Sequence, residues 1–290
     1  MLTFRTLAPC VLALGLLAPA TARAEEGRAA LIQAKAASAV SVKITAKISG
    51  SFGGRAVDQE RNITASGVVV DPAGLVMIPA NSVSAPARLG MEIKVTPTSI
   101  RVIFPGDETE YDAILGAMDS KLGLAYVLVR DLKGRALSPV DMTQVAEPVV
   151  GDMLYSVTRM PQGFDYAPVC QSAEVIGQVS KPRTMWVVDG SAPEPAQPLY
   201  TAAGKLAGIM IVQEGVGEES GSQIFLLPLK VAQSSIERSL KASQKELEDV
   251  KAREAEAAAK AAEQGEKAPE APAAPAEPAP AEPAAPEQPK

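Results

Sequence analysis

The segment ASGVVVDPAGLVMIPANSV, residues 65–83, decides the fold. Two short runs rich in Val, Leu and Ile flank Asp71-Pro72-Ala73-Gly74, which has proline at the second and glycine at the fourth position of a type I turn. β-branched residues on both sides of such a turn are typical of paired strands. The segment therefore predicts a β-hairpin.

Strand patterns continue on both sides of this hairpin. From Val40 to Ile48 apolar residues alternate with polar ones, which is the period of a half-buried strand. Further strands are predicted at 91–95, 99–104, 111–118, 124–130, 149–157, 167–178, 184–188, 206–213 and 223–227. About a dozen short strands and no internal helix pattern within 36–228 indicate an all-β barrel or sandwich domain, and its length favours two barrels.

Residues 1–24 have the composition of an export signal. Arg5 precedes the apolar run VLALGLLA, and ARA at 22–24 is a small-x-small cleavage pattern. An uncleaved membrane anchor is the alternative, but the run is shorter than the ~20 residues that span a bilayer. We expect an exported protein, periplasmic or secreted, with no membrane span after cleavage and with an N-terminal segment, 25–35, before the barrels.

The C-terminal part has a different composition. Residues 229–264 are rich in Ala, Glu and Lys and contain no proline, which predicts one charged helix. Ser243 interrupts a 4-3 apolar rhythm in this helix, so a coiled-coil homodimer and a solvated single helix both remain open. The rhythm consists of Ile236, Leu240, Leu247 and Val250. Residues 265–290 are rich in Pro, Ala and Glu and are expected to be a disordered tail.

Composition excludes several classes of function. The chain has 28 Lys+Arg, 34 Asp+Glu, two Cys and no His, with a net charge of -6 and 4% aromatic residues. Without imidazole there is no Ser-His-Asp or Cys-His catalysis and no usual zinc ligand set. The charge and the few aromatic residues argue against nucleic acid as a partner. Acidic runs at 107–112 and 214–219 lack the fixed spacing of calcium loops, so we expect neither a metal nor a cofactor.

Five segments in order resemble the trypsin-like serine proteases of the HtrA type. The hairpin segment is similar to that family's GSGFVIDPDGLVLTNAHVV, and the other four are similar to its later segments. Those four are residues 109–129, 151–161, 198–212 and 224–240. The resemblance implies a trypsin-like pair of packed six-stranded β-barrels, which agrees with the strand count.

The same resemblance implies that the family's chemistry is lost. Its catalytic histidine falls on Asn81, its aspartate on Gly123 and its serine on Pro195. An amide has no basic nitrogen that accepts a proton near neutral pH. Pro193 and Pro195 stand where the family has two oxyanion-hole N–H donors, and proline has no N–H. The chain is therefore identified as a catalytically degenerate member, a pseudo-protease.

A binding or scaffold module is the first functional hypothesis. If the family's peptide groove persists, Ile211, Val212 and Gln213 line it, and the partner is an extracytoplasmic protein or peptide. Met185 and Trp186 fall beside the family's specificity pocket, although a lone Trp in a β protein is more often a core residue.

An active serine hydrolase is the second hypothesis. Ser191 in VVDGSAPEP lies just upstream of the degenerate loop and could act as a relocated nucleophile, with Lys205 or Lys181 as its base. The simpler interpretation of the same residues is a surface turn, since Asp, Gly, Ser and Pro are the residues that turns contain.

Overall fold

The computed structural model of the 290-residue chain describes residues 20–52, 55–84, 92–106, 108–181, 183–191, 194–214 and 222–265. The predicted tail, and all but the end of the predicted export signal, lie outside the described residues. The chain forms two compact units, Met1–Glu248 and Asp249–Lys290.

The first six strands form a closed antiparallel barrel. They are β1 Ala39–Phe52, β2 Arg55–Asp71, β3 Leu75–Pro79, β4 Glu92–Ile103, β5 Glu110–Asp119 and β6 Leu124–Val129. Their order around the barrel is β1-β2-β3-β6-β5-β4. The alternation predicted for the first strand places Val40, Val42 and Ile44 in the barrel core.

The next six strands form a second closed antiparallel barrel. They are β7 Met153–Arg159, β8 Pro168–Val179, β9 Met185–Gly190, β10 Pro198–Tyr200, β11 Leu206–Glu214 and β12 Ser222–Leu227. Their order is β10-β11-β12-β9-β8-β7. Leu154, Trp186 and Met210 lie in the core of this barrel. The predicted double six-stranded barrel is confirmed.

The turn of the opening hairpin has the geometry that its sequence predicts. The Gly74 N–H donates to the Asp71 carbonyl at 3.1 Å, and the Ala73 N–H donates to Asp71 Oδ1 at 2.8 Å. Gly74 has a φ of 95°, a conformation that favours glycine. The Asp-Pro-Ala-Gly sequence therefore closes the hairpin by its own local hydrogen bonds.

The strand boundaries differ from prediction in three places. The strands predicted at 91–95 and 99–104 are one strand, β4, because Pro97 lies at a register shift opposite β1, where a missing N–H is tolerated. Residues 149–152 are a turn, in which Asp152 Oδ2 accepts the Val149 N–H at 2.9 Å. The three-residue β10 was not predicted, since it is too short to show a period.

Two helices flank the barrels in sequence. The first, α1 Ala20–Lys35, was not predicted; its Leu31 is buried, and Lys35 Nζ lies 4.8 Å from the centre of the Tyr200 ring. The second, α2 Leu229–Gly265, is the predicted charged helix. No helix among the described residues is long and apolar enough to span a membrane.

The first part of α2 packs on the first barrel through serine side chains. Ser235, Ser239 and Ser243 are spaced four residues apart, so they share one helix face, and all three are buried. Ser243 Oγ accepts the Ala117 N–H at 3.2 Å and lies directly against Gly116, where a Cβ atom would overlap it. Small residues on both sides therefore let the helix approach β5 closely.

Arg159 joins the second barrel to the chain that enters the first. Its Nε donates to the Ala39 carbonyl at 2.8 Å, its Nη2 to the Ala36 carbonyl at 3.1 Å and its Nη1 to the Tyr166 carbonyl at 2.8 Å. Burial lowers the pKa of the guanidinium. One charged side chain thus satisfies three carbonyls at the seam between the barrels.

Candidate functional site between the barrels

Two of the three positions to which the protease resemblance assigns a triad residue are neighbours in the first barrel. Asn81 lies in a 3-10 turn, Ala80–Ser82, that follows β3, and its side chain is exposed. The Ala80 N–H donates to the Gly123 carbonyl at 2.9 Å, so this turn lies beside the start of β6. Gly123 has a left-handed backbone, with a φ of 66°.

Gly123 in turn contacts the second barrel at β11. A Cβ atom on Gly123 would lie 3.2 Å from the Val212 carbonyl oxygen and 3.7 Å from the Val212 nitrogen. The backbone of Val212 is therefore the surface that faces this position.

The third position that the resemblance assigns to the triad, Pro195, lies near the same strand. The Ala196 N–H donates to the Met210 carbonyl at 2.8 Å, and the Met210 N–H donates to the Gln197 carbonyl at 2.8 Å. These two bonds hold Pro195 beside Met210, whereas Pro193 lies outside the described residues. Ala196 has a φ of 69°, a left-handed conformation that costs a non-glycine residue energy.

The two contacts bring the three positions together. Met210 and Val212 are two residues apart on β11, a separation of about 7 Å. Met210 forms hydrogen bonds with the loop that contains Pro195. Val212 contacts Gly123, and the Gly123 carbonyl accepts a hydrogen bond from the turn that contains Asn81. The structure therefore gathers Asn81, Gly123 and Pro195 in one region between the barrels.

The edge of β11 in this region has unused backbone groups. Met210 lies opposite Leu226 of β12 in the strand register. Its backbone N–H and C=O form hydrogen bonds with the loop before β10, so both groups point away from β12. Backbone direction alternates along a strand, so the Val212 N–H and C=O point the same way. Among the described residues, these two groups make no hydrogen bond outside the sheet.

The solved structure of Deg5 is similar to this chain in fold. It is 17% identical to this chain, covers 72% of it and 92% of its own chain, and superposes with a TM-score of 0.50. The chain has the trypsin-like protease fold. The crystal structure of the MamO protease domain from Magnetospirillum magneticum, in its apo form, is 19% identical, covers 66% of this chain and 94% of its own, and has a TM-score of 0.42. No family model and no curated protein matches the chain.

Within this trypsin-like fold, the predicted groove residues divide into two groups. Ile211, Met185 and Trp186 are buried, so their side chains pack inside the protein. Val212 and Gln213 are half-buried and reach the surface. A ligand in the region between the barrels would therefore touch Val212 and Gln213, and Trp186 has the core role that a lone Trp usually has.

Gln197 is a site residue that sequence reasoning missed. Its side chain is completely buried, and neither Oε1 nor Nε2 has a hydrogen-bond partner among the described residues. A buried amide without partners is costly and calls for an explanation. No pattern in the sequence marks this residue, because its burial depends on contacts between distant segments.

Ser191 is exposed in the trypsin-like fold. Its Oγ donates to the Ser172 carbonyl at 3.2 Å. No hydrogen bond between described residues joins it to Lys181 or Lys205. The hydroxyl has the surroundings of a turn residue.

The first predicted acidic run is part of an ion-paired barrel surface. Glu110 Oε1 lies 2.6 Å from Lys43 Nζ, and Glu110 Oε2 lies 2.7 Å from Arg101 Nη1. Hydrogen bonds from Lys43 and then Arg101 lower the pKa of Glu110. Among the described residues, no group of three or more His, Cys, Asp or Glu side chains is placed to hold a metal.

Proposed function

We propose that this chain is an exported, non-catalytic homologue of trypsin-like proteases that binds an extended peptide or protein segment outside the cytoplasm. The observation that carries the proposal is the backbone N–H and C=O of Val212, which point away from β12 and make no hydrogen bond among the described residues. Extended peptides bind proteins by adding a strand to such an edge, where main-chain hydrogen bonds supply affinity.

The surroundings of this edge support binding without catalysis. The chain has no histidine, and the turn after β3 presents the exposed amide of Asn81. Gly123 supplies no side chain, and its left-handed backbone lies too close to the Val212 carbonyl for a carboxylate to be added without strain. These two positions therefore supply neither a general base nor an acid that would orient it.

The same geometry defines the peptide that fits. A single peptide residue would exchange two hydrogen bonds with Val212, and its neighbours would alternate in direction. Because Gly123 crowds the Val212 carbonyl, the residue opposite Val212 has to be small. Val212 and Gln213 are uncharged, so we expect an extended, uncharged segment with small side chains.

A proline substitution tests the edge directly. Val212→Pro removes the N–H that would bond to the peptide, and it preserves the pairing with β12 because this N–H points away from β12. Val212→Thr is the matched control, since it keeps the backbone and nearly the same shape. Both variants are used as bait for envelope proteins of the native organism, and the recovered partner is quantified by mass spectrometry.

We expect the partner to be recovered by the wild-type chain and by Val212→Thr and to be lost with Val212→Pro. Equal recovery with all three baits would contradict peptide binding at β11. Labelling of the wild-type chain by a fluorophosphonate probe, abolished by Ser191→Ala, would instead establish the hydrolase alternative.

The C-terminal elements extend the proposal to a scaffold. Ile236 is buried in the first unit, so a homodimer through α2 would have to use the half-buried Leu240, Leu247 and Val250. The tail of residues 268–290 would reach about 70 Å if extended as polyproline II at about 3.1 Å per residue. We propose that it is a spacer between the binding domain and the envelope. Analytical ultracentrifugation of the full chain tests the dimer.

A further inference from the structure

A second concave region lies apart from the β11 edge. It is a cavity of about 490 Å³ between the turn that joins β5 to β6, the loop that joins β8 to β9, and the first part of α2. Its charged lining residues are Asp119, Lys121, Arg183 and Arg238. None of its lining residues belongs to β11 or to the loop before β10, so the proposed peptide edge does not account for it.

The charge of this cavity is opposite to that of the whole protein. Lys121, Arg183 and Arg238 contribute three positive charges and Asp119 contributes one negative charge, which leaves a net charge of +2 on the lining. The complete chain carries a net charge of -6. Each of three separate elements supplies one of the cations. Charges of one sign gathered in a cleft attract a ligand of the opposite sign.

The one carboxylate in the cavity is already engaged. Asp119 Oδ2 accepts the Ser235 hydroxyl at 2.9 Å and lies 3.8 Å from Arg238 Nη2, and Asp119 Oδ1 accepts the Leu122 N–H at 3.3 Å. Asp119 thus fixes both the β5–β6 turn and the helix. The Asp119 carboxylate therefore forms no ion pair with Lys121 or Arg183 among the described residues.

Hydrogen bonds from the barrel core hold the cavity wall in place. The Tyr126 hydroxyl donates to Ser235 Oγ at 3.1 Å, and burial raises the pKa of Tyr126 to about 12. Tyr126 therefore remains a neutral donor at physiological pH. On the helix, Arg238 Nε donates to the Ser234 carbonyl at 3.0 Å, which orients its guanidinium at the cavity edge.

We infer that this cavity binds a dianionic tetrahedral oxyanion of the phosphate class. Two guanidinium groups and one ammonium group offer forked and single N–H donors, the combination that recognises phosphate oxygens. The net charge of +2 matches a dianion, and the volume admits the group with part of a larger molecule attached. The ligand is therefore either a free phosphate ion or the phosphate of a monoester.

Thermal unfolding and calorimetric titration of the full chain test this inference. Inorganic phosphate is added at a pH above its second pKa, where the dianion predominates, and sodium chloride of equal ionic strength is the reference. Because a ligand that binds only the folded state stabilises it, we expect a saturable rise of the unfolding temperature with phosphate and none with chloride. Glycerol phosphate is titrated in parallel.

Single charge changes locate the site. Lys121→Gln and Arg183→Gln should each weaken phosphate binding by about tenfold, since each removes a charge-assisted hydrogen bond. Lys245→Gln on the exposed face of α2 removes the same charge outside the cavity and should leave the affinity unchanged. Asp119→Asn should bind phosphate more tightly, because it removes the one repulsive charge and keeps an oxygen acceptor. A gain of this kind cannot come from misfolding.

The outcomes separate the possible ligands. Equal or tighter binding of glycerol phosphate identifies a phosphate monoester, and binding of inorganic phosphate alone identifies the free ion. A response to phosphate that does not saturate overturns the inference. So does an equal loss of affinity in Lys121→Gln and in the Lys245→Gln control.

Discussion

The carbonyl oxygen of Val212 lies 3.2 Å from the position that a Cβ atom would take on Gly123. This contact joins the start of a strand in the first barrel to the edge of a strand in the second. The backbone of Gly123 is also left-handed, with a φ of 66°. The position to which the protease resemblance assigns the catalytic aspartate is therefore shaped for glycine.

Rebuilding the triad should not restore proteolysis. We expect the triple variant Asn81→His, Gly123→Asp, Pro195→Ser to release no peptide from a fluorescent casein substrate, because the new aspartate is strained and cannot orient the histidine. Gly123→Asp alone should lower the free energy of unfolding by about 1–2 kcal/mol. Asn81→His alone is the control, and as an exposed change it should alter stability by less than about 0.5 kcal/mol. Measurable hydrolysis by the triple variant would contradict this account.

Arg159 should be essential for stability. Arg159→Met leaves the carbonyls of Ala36, Ala39 and Tyr166 without their donor at a half-buried seam, so we expect a loss of about 2 kcal/mol in urea unfolding. Arg159→Lys keeps the charge but not the planar fork and should recover only part of the loss. If the lysine variant matched the wild type, the three directed hydrogen bonds would not be the source of stability.

Gly116 should not tolerate a methyl group. In Gly116→Ala the new Cβ overlaps the Ser243 side chain, so α2 has to shift, and we expect a cost of about 1–3 kcal/mol and faster proteolysis within α2. Gly163→Ala makes the same chemical change where no atom lies within 4 Å and should be nearly neutral. Equal stability of the two variants would show that α2 does not dock closely on β5.

Replacing Gln197 with an apolar residue should stabilise the protein. Gln197→Met keeps the length of the buried side chain and removes two polar atoms that have no partner among the described residues. We expect the free energy of unfolding to rise by about 1 kcal/mol in urea titrations. A comparable loss in stability would indicate that an internal water or a bound ligand pairs the amide, which would add Gln197 to the binding site.

The ion pairs of Glu110 should make stability depend on pH and salt. Lys43 and Arg101 lower the pKa of Glu110 below its ordinary value of 4.5, so the stabilisation is present above that value and is lost as pH falls through the folded-state pKa. Since these groups are partly exposed, Glu110→Gln should cost only about 0.5 kcal/mol near neutral pH. The difference from the wild type should shrink in acid and in high salt. A difference that is constant with pH would rule out the ionic contribution.

Local patterns explain how much of the fold could be predicted. The Asp-Pro-Ala-Gly turn closes the first hairpin with hydrogen bonds within four residues, and the alternation from Val40 depends only on the two faces of a strand. The prediction of two separate strands around Pro97 was wrong because strand continuity there depends on the neighbouring strand. Pro97 lies inside β4, where a register shift in the partner strand accommodates it. The helix α1 was missed because its packing partners lie in the distant second barrel.

The candidate site shows the same division. From the amino-acid sequence it follows that no histidine is present, that glycine and proline occupy positions 123 and 195, and that a serine interrupts the apolar rhythm of α2. The folded structure alone shows that Ser243 lies against Gly116, that Val212 faces Gly123, and that Lys121, Arg183 and Arg238 line one cavity. The reason is physical: periodicity and turn chemistry depend on neighbours along the chain, whereas contacts between distant residues exist only after both barrels have closed and packed.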